Sequence, residues 1–205
     1  MKIGLYFGSF NPIHHGHLII AEHVINETEL QQVWFVVSPQ NPFKQSNSLL
    51  NEYHRLHLVK LAIEGENNLR ASDIEFKLPK PSYTITTLQY LEEKYPQHQF
   101  TIILGSDSFL NLDKWRNAEL IMDRYELFVY TRAGFEVRTD LPVKYKILDA
   151  PLLQISSTHI RKLIKNGQSV RYLIPDTVKE EIEKTSTAGK SSDERIEHIK
   201  VSMYW

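Results

Sequence analysis

The stretch "KIGLYFGSFNPIHHGHLIIAEHVINET", residues 2–28, reads as a strand, a turn and a helix in immediate succession. Residues 2–7 are β-prone and apolar at nearly every position, the pattern of a strand buried on both faces. Gly8, Ser9, Asn11 and Pro12 then break the run, and three histidines follow at 14, 15 and 17. Beyond them, apolar residues recur at Leu18, Ala21 and Ile25 with polar residues between, which suits a helix over 17–28 packed on a sheet.

The same alternation continues along the chain. "QVWFVVS" (32–38) is another continuous apolar strand, and "EYHRLHLVKLAIEG" (52–65) is an amphipathic helix stopped at Gly65. A weaker strand over 69–76 precedes a helix over 84–96 that Pro96 ends. "QFTIILGSD" (99–107) is a strand running into a glycine turn, and 125–132 and 144–150 are further strands. Strands alternating with helices at this spacing predict an α/β fold: a Rossmann-like, doubly wound parallel sheet with right-handed crossovers.

Two C-terminal helices complete it, over 157–168 with a Gly167 stop and over 175–185 with Pro and acids in its first turn. The expected organisation is one domain over 1–186, followed by a polar extension of unknown role over 187–205. In such sheets ligands lie outside the carboxyl ends of the strands. Functional residues are therefore expected in 8–17, 38–44, 105–115, 132–134 and 151–161.

Composition narrows the chemistry. The 205 residues carry 24 Lys plus Arg against 25 Asp plus Glu, a balance that gives no basic face for long nucleic acid. There is no cysteine, which excludes disulfides, thiolate metal sites and thiol nucleophiles. The N-terminus lacks the long apolar segment of a signal peptide. No run reaches the roughly 18 apolar residues of a membrane span. The expectation is a cytoplasmic protein with no membrane or nucleic-acid partner; a homo-oligomer is compatible with everything read so far.

Three readings of the histidine cluster compete. His14 and His17 lie three apart and share a face at the start of a helix, while His15 points elsewhere. A zinc site would need a third ligand close by. Histidines that only cap and pack would be the ordinary reading of a single residue. Here Gly8 and Ser9 follow a strand, and Gly16 removes a side chain where something must approach the backbone. A helix N-terminus after such a loop is an anion site. The phosphate cradle fits best.

"GSFNPIHHGH" (8–17) resembles the signature G-[TS]-F-[DN]-P-x-H-x-G-H of the HxGH nucleotidyltransferase superfamily. "ISSTHIRKLIKNG" (155–167) resembles that superfamily's second motif. "PSYTITTLQYL" (81–91) and "LGSDSFLNLDKW" (104–115) are similar to the bacterial nicotinate-nucleotide adenylyltransferases in particular. Many relatives carry Gly-Gly-Thr-Phe-Asp-Pro where this chain has Phe7 to Pro12. Ser9 keeps the hydroxyl, whereas Asn11 removes a charge.

The resemblance implies transfer of the adenylyl group of ATP to nicotinate mononucleotide, with pyrophosphate as the second product. The mononucleotide phosphate is itself the nucleophile, so catalysis is positioning and charge neutralisation. It implies His17 on the α-phosphate, His14 on the outer phosphates and Arg161 on the leaving group. Gly8, Ser9, Phe10, Gly16, Lys44, Gly105, Asp107, Ile155, Ser156, Ser157 and Thr158 are implied on ATP, which brings Mg²⁺ held by phosphates and water. Trp115 is implied as the ring stacked on the pyridine. Backbone N–H groups near Thr84, Ile85 and Arg116 would take the nicotinate carboxylate, and Arg132 would assist the mononucleotide. Each has a plain alternative: Asp107 as a helix cap, Trp115 as a core aromatic, Lys44 and Arg132 as surface charges, Ser156 to Thr158 as a cap without phosphate. Trp34, His23, His54 and His57 are expected to pack. Two rival functions stay open, the same transfer to nicotinamide mononucleotide and a nucleotide sensor without turnover; a zinc-dependent hydrolase is a third.

Overall fold

The computed structural model of the protein describes residues 1–40, 49–151 and 153–188. Six parallel strands form one sheet in the order β3-β2-β1-β4-β5-β6. They are β1 Lys2–Gly8, β2 Gln32–Val37, β3 Leu69–Ser72, β4 Gln99–Gly105, β5 Glu126–Tyr130 and β6 Tyr145–Leu148. The helices among the described residues are α1 His15–Glu27, α2 Glu52–Ala62, α3 Thr84–Lys94, α4 Ser106–Phe109, α5 Ala118–Arg124, α6 Ser157–Lys165 and α7 Asp176–Ala188. The chain builds outward from β1 in one direction to β3, then returns to β4 and builds the other way. That reversal opens a crevice between the carboxyl ends of β1 and β4.

Strand alternation sorts the apolar side chains into two cores. On one face Tyr6, Phe35, Ile103 and Phe128 pack with residues of α1, α2, α6 and α7, among them Val24, Val59, Ile160 and Val178. On the other, Ile3, Leu5, Trp34, Ile102 and Leu127 pack with residues of α3 and α5, including Leu88, Leu91 and Ile121. Both faces are covered, which is why the strands read as unbroken apolar runs.

Several boundaries differ from the sequence reading. Residues 74–76, expected within a strand, fall in a short 3-10 helix over Ile74–Lys77, so β3 keeps only four residues. α1 begins two residues early, at His15. α5 was not expected; it starts at Asn117, whose left-handed backbone (φ 54°) turns the chain out of the preceding loop. α6 closes as foreseen, with Gly167 at φ 68° and Gln168 N–H donating to Leu163 O at 2.9 Å, a Schellman close. Residues 189–205, most of the polar extension, lie outside the described residues. No helix among the described residues is long and apolar enough to cross a membrane.

The loop after β1 carries one strained residue. Phe10 takes φ 46°, a left-handed conformation that side-chain-bearing residues rarely hold. Its ring is only 2% exposed and meets Tyr6, Phe35 and His17 edge to face, and this burial holds the backbone there. Phe10→Ala is expected to cost about 3–5 kcal/mol by urea denaturation, the range for an aromatic lost from a core. Phe10→Gly should cost no more than Phe10→Ala, because glycine takes this φ freely; a clearly worse glycine variant would contradict the strain argument.

Candidate active site

The crevice is a cleft of about 760 Å³ lined along its length by the loops that follow β1, β4 and β5 and by the starts of α3 and α6. At its centre the rings of His14 and His17 stack face to face, centroids 3.6 Å apart and planes 20° apart. The local chain explains the pairing. His14 is the N-cap of α1 and its carbonyl accepts from His17 N–H at 2.9 Å, which brings the two side chains together in the first turn. Phe10 and Tyr6 wall the His17 ring edge to face, with centroids 5.0 and 5.9 Å away. Beneath them Tyr6 donates its phenol proton to the Tyr130 hydroxyl at 3.1 Å, and burial holds both phenols above their ordinary pKa. His15 points away and its N–H donates to Leu173 O at 3.0 Å. A Cβ on Gly16 would sit 3.0 Å from the His14 ring, so a side chain there would press the ring out of its stack by a few tenths of an ångström.

A stack of this kind is a donor pair, not a chelate. Among the described residues no group of three or more His, Cys, Asp or Glu could hold a metal ion. The His14 pKa is pushed down to about 3, first by burial and then by the positive charge of Arg132. At neutral pH it is therefore an uncharged imidazole, able to donate a hydrogen bond without burying a second charge.

The start of α6 faces this pair. Ser156 caps the helix, its hydroxyl accepting from His159 N–H at 3.2 Å. Ser157 Oγ donates to Pro12 O at 2.9 Å and Arg161 donates to Asn11 O at 2.8 Å, so both side chains lean across onto the β1 loop. Thr158 Oγ1 accepts from the other Arg161 nitrogen at 3.3 Å.

At the end of β4, Gly105 leads into α4. A Cβ on it would lie 2.5 Å from Asp107 Oδ1 and 2.8 Å from Arg132 Cδ, so any side chain there would displace that pair. Arg132 and Asp107 form an ion pair at 3.1 Å, and Asp107 Oδ1 remains buried without a hydrogen-bond partner. The helix cap here is Gly105, not Asp107. Ser106 locks the β5 loop to β4, donating to Phe135 O and accepting from Arg132 N–H, both at 2.9 Å.

The far end of the cleft is the start of α3. Tyr83 caps it without a side-chain hydrogen bond, which leaves the first N–H groups of the helix uncapped. Arg116 lies over the Tyr83 ring, 4.7 Å from its centroid, and half-buried Trp115 lines the wall beside it.

Of the residues singled out from sequence, Gly8, Ser9, Phe10, His14, His17, Thr84, Gly105, Asp107, Trp115, Arg116, Arg132, Ser156, Ser157, Thr158 and Arg161 line this one cleft. Gly16 and Ile155 line a small recess behind the histidines, which His14, His17 and Arg132 share. Arg132 lines both the cleft and this recess. The Ile85 side chain is in the core beneath α3 and only its backbone can serve the cleft. Lys44 lies outside the described residues.

Sequence reasoning missed Glu75, which also lines the cleft with Ser38 and Ser82. Burial raises the Glu75 pKa, opposed in part by the nearby Ser38, Thr87 and Ser82 hydroxyls, of which Thr87 Oγ1 donates to it at 2.9 Å. It also missed Arg55, fully buried on α2. The signal was present: Arg55 shares its helix face with Leu58, Val59 and Ala62, a charge inside an apolar stripe.

Comparison with known proteins agrees with this arrangement. The cytidylyltransferase-like family model matches residues 5–163. A Flavobacterium johnsoniae protein named probable nicotinate-nucleotide adenylyltransferase is 48% identical over 186 residues, covering 89% of this chain and 96% of its own. The Cytophaga hutchinsonii protein of the same name is 51% identical over 183 residues, 88% of this chain and 94% of its own. Among solved structures, Plasmodium falciparum nicotinic acid mononucleotide adenylyltransferase complexed with NaAD superposes with a TM-score of 0.78. It covers 90% of this chain and 96% of its own at 22% identity, a likeness of fold.

The depressed His14 pKa gives a direct check. An NMR titration of the histidine Cε1 protons should show His14 unprotonated down to about pH 4, with a midpoint about 3. Because the unfolded chain takes up that proton near 6.5, the wild type should lose stability relative to His14→Gln as pH falls from 6.5 towards 3. Above 6.5 the difference should be flat. A His14 midpoint near 6.5 would contradict the buried, stacked geometry.

Proposed function

The chain belongs to the cytidylyltransferase-like family and, within it, to the nicotinate-nucleotide adenylyltransferases, and on that premise we propose how its cleft works. The reaction joins nicotinate mononucleotide to ATP, giving nicotinate adenine dinucleotide and pyrophosphate. An oxygen of the mononucleotide phosphate attacks the α-phosphorus of ATP, a new P–O bond forms, and the bond from the α-phosphorus to the bridging oxygen breaks. No protein atom need be bonded to the nucleotide at any stage.

One observation carries the reading: the stacked histidines line the same cleft as two helix N-termini. At one end α6 opens with Ser156, Ser157 and Thr158, and its N–H groups and Arg161 hold the β- and γ-phosphates that leave. At the other end the uncapped start of α3, at Thr84 and Ile85, takes the nicotinate carboxylate, with the pyridine against Trp115 and Arg116 closing the wall. Between them His17, its ring fixed on three sides by aromatic contacts, donates to the α-phosphate as charge builds there. His14, neutral in the free enzyme, donates to the neighbouring phosphates. Ser9 and Phe10 provide the loop beneath the phosphate chain.

Adenosine occupies the β4 end. Gly105 lets the nucleoside approach the backbone, and Asp107 Oδ1 accepts from a ribose hydroxyl. Ile155, Gly16 and Arg132 surround the recess behind the histidines, which suits the base. Mg²⁺ bound with ATP would neutralise phosphate charge and would need no ligand from the protein. This fits the cleft, whose Asp107 is already paired with Arg132. Turnover, as opposed to mere nucleotide sensing, is favoured because donors face both the α-phosphate and the leaving group.

His17→Ala should lower the rate of pyrophosphate release by about 10²–10³, the effect of removing one donor from a developing oxyanion, with the KM for ATP changed far less. Equal rates in mutant and wild type would remove His17 from the mechanism. Measured side by side, nicotinate mononucleotide should outperform the nicotinamide form in kcat/KM, and the reverse order would overturn the assignment of the α3 N-terminus to a carboxylate.

A further inference from the structure

Arg55 lies directly under the cleft, fully buried and with no carboxylate within ion-pair distance among the described residues. Its donors go to four main-chain carbonyls. Nε donates to Leu50 O at 2.8 Å, one terminal nitrogen to Ser9 O and to Ser38 O at 2.9 Å, and the other to Pro39 O at 3.3 Å. Glu52, on its own helix, reaches Arg55 only through the field and is shared with Lys80, which it pairs at 2.7 Å. Burial lowers the Arg55 pKa to about 10, which leaves the guanidinium charged at neutral pH.

Carbonyl dipoles satisfy the N–H groups but leave a net positive charge inside the fold. Such a charge is costly without an opposite one. Its position says what the opposite charge is. Ser9 belongs to the loop after β1, while Ser38 and Pro39 follow β2, and Ser38 N–H donates to Gly8 O at 2.8 Å. One side chain therefore fastens two strand ends at the carboxyl edge of the sheet, under the loop assigned to the phosphate chain. The network continues towards α3. Glu75 accepts from Thr87 Oγ1 at 2.9 Å, and Ser82 N–H donates to Gln40 O at 3.0 Å.

We propose that Arg55 is a positioning residue for ATP, holding the Ser9–Phe10 loop in its phosphate-binding shape and supplying from below a positive charge that the triphosphate balances. It touches no reacting atom. The inference rests on the reading of the cleft as an adenylyltransferase site, and deepens it.

Arg55→Met strips four carbonyls of their donors and is a poor test if it does not fold. Arg55→Lys keeps the charge but cannot span the four acceptors, and it is the informative variant. Its thermal midpoint should fall by a few degrees. At a temperature well below that midpoint, its KM for ATP should rise at least tenfold, while the KM for nicotinate mononucleotide stays within twofold. Calorimetric binding of inorganic tripolyphosphate should weaken by a similar tenfold. If both KM values stay within twofold of wild type, or both rise equally, Arg55 is only a structural residue and the proposal is overturned. If the wild type makes no dinucleotide from ATP and nicotinate mononucleotide, the reading of the reaction fails instead. The tripolyphosphate comparison then still decides on Arg55: equal affinity in the two proteins overturns the proposal.

Discussion

The site depends on how the four residues Ser9 to Pro12 are held. This loop leaves β1 at the only point where the sheet order reverses, so whatever shape it takes becomes the floor of the cleft. Protein groups grip it from three sides. Arg55 takes the Ser9 carbonyl from below, Arg161 and Ser157 take the Asn11 and Pro12 carbonyls from α6, and the Phe10 ring is sunk into the core. A left-handed phenylalanine costs energy, of order 1–3 kcal/mol for a strained backbone, and these contacts offset it. A preorganised loop need not rearrange when charge develops on a bound phosphate, which is where electrostatic catalysis gains most.

The charges are distributed to serve the same end. Two of the cleft's cations, Arg132 and Arg161, are bound to Asp107 and to the Asn11 carbonyl. His14 stays neutral at the centre, because burial and the neighbouring Arg132 both oppose its protonation. A stack of two charged imidazoles 3.6 Å apart would repel itself; one neutral ring removes that problem while keeping its donor. Tyr6 and Tyr130 support the stack from beneath with a hydrogen bond that needs no charge.

Much of this was legible before any coordinates. The apolar runs of β1, β2 and β4 announced strands covered on both faces, and the loops after them announced the ligand edge. The HxGH spacing separated His14 and His17 from His15, and the stack and the His15 bond to Leu173 are consistent with that division. Trp115, by default a core aromatic, packs against the core and lines the cleft wall as well. What escaped was non-local. Residues 74–76 look like strand, yet the chain turns there in a 3-10 helix and Glu75 accepts from Thr87 of α3. Arg132, implied on the mononucleotide, pairs with Asp107 from another loop, a contact that its position after a strand does not announce. Arg55 reads as one more charge on an amphipathic helix until its four carbonyl partners, far apart in sequence, come together.

The central claim is that the cleft transfers the adenylyl group directly, by holding two substrates and neutralising charge, without a protein nucleophile. The stereochemistry at phosphorus tests it. With adenosine 5′-O-(1-thiotriphosphate) of one configuration and nicotinate mononucleotide, a single in-line displacement must invert the α-phosphorus. The account predicts a dinucleotide phosphorothioate of fully inverted configuration by ³¹P NMR. Retention would mean two displacements and a covalent enzyme intermediate, and would contradict it.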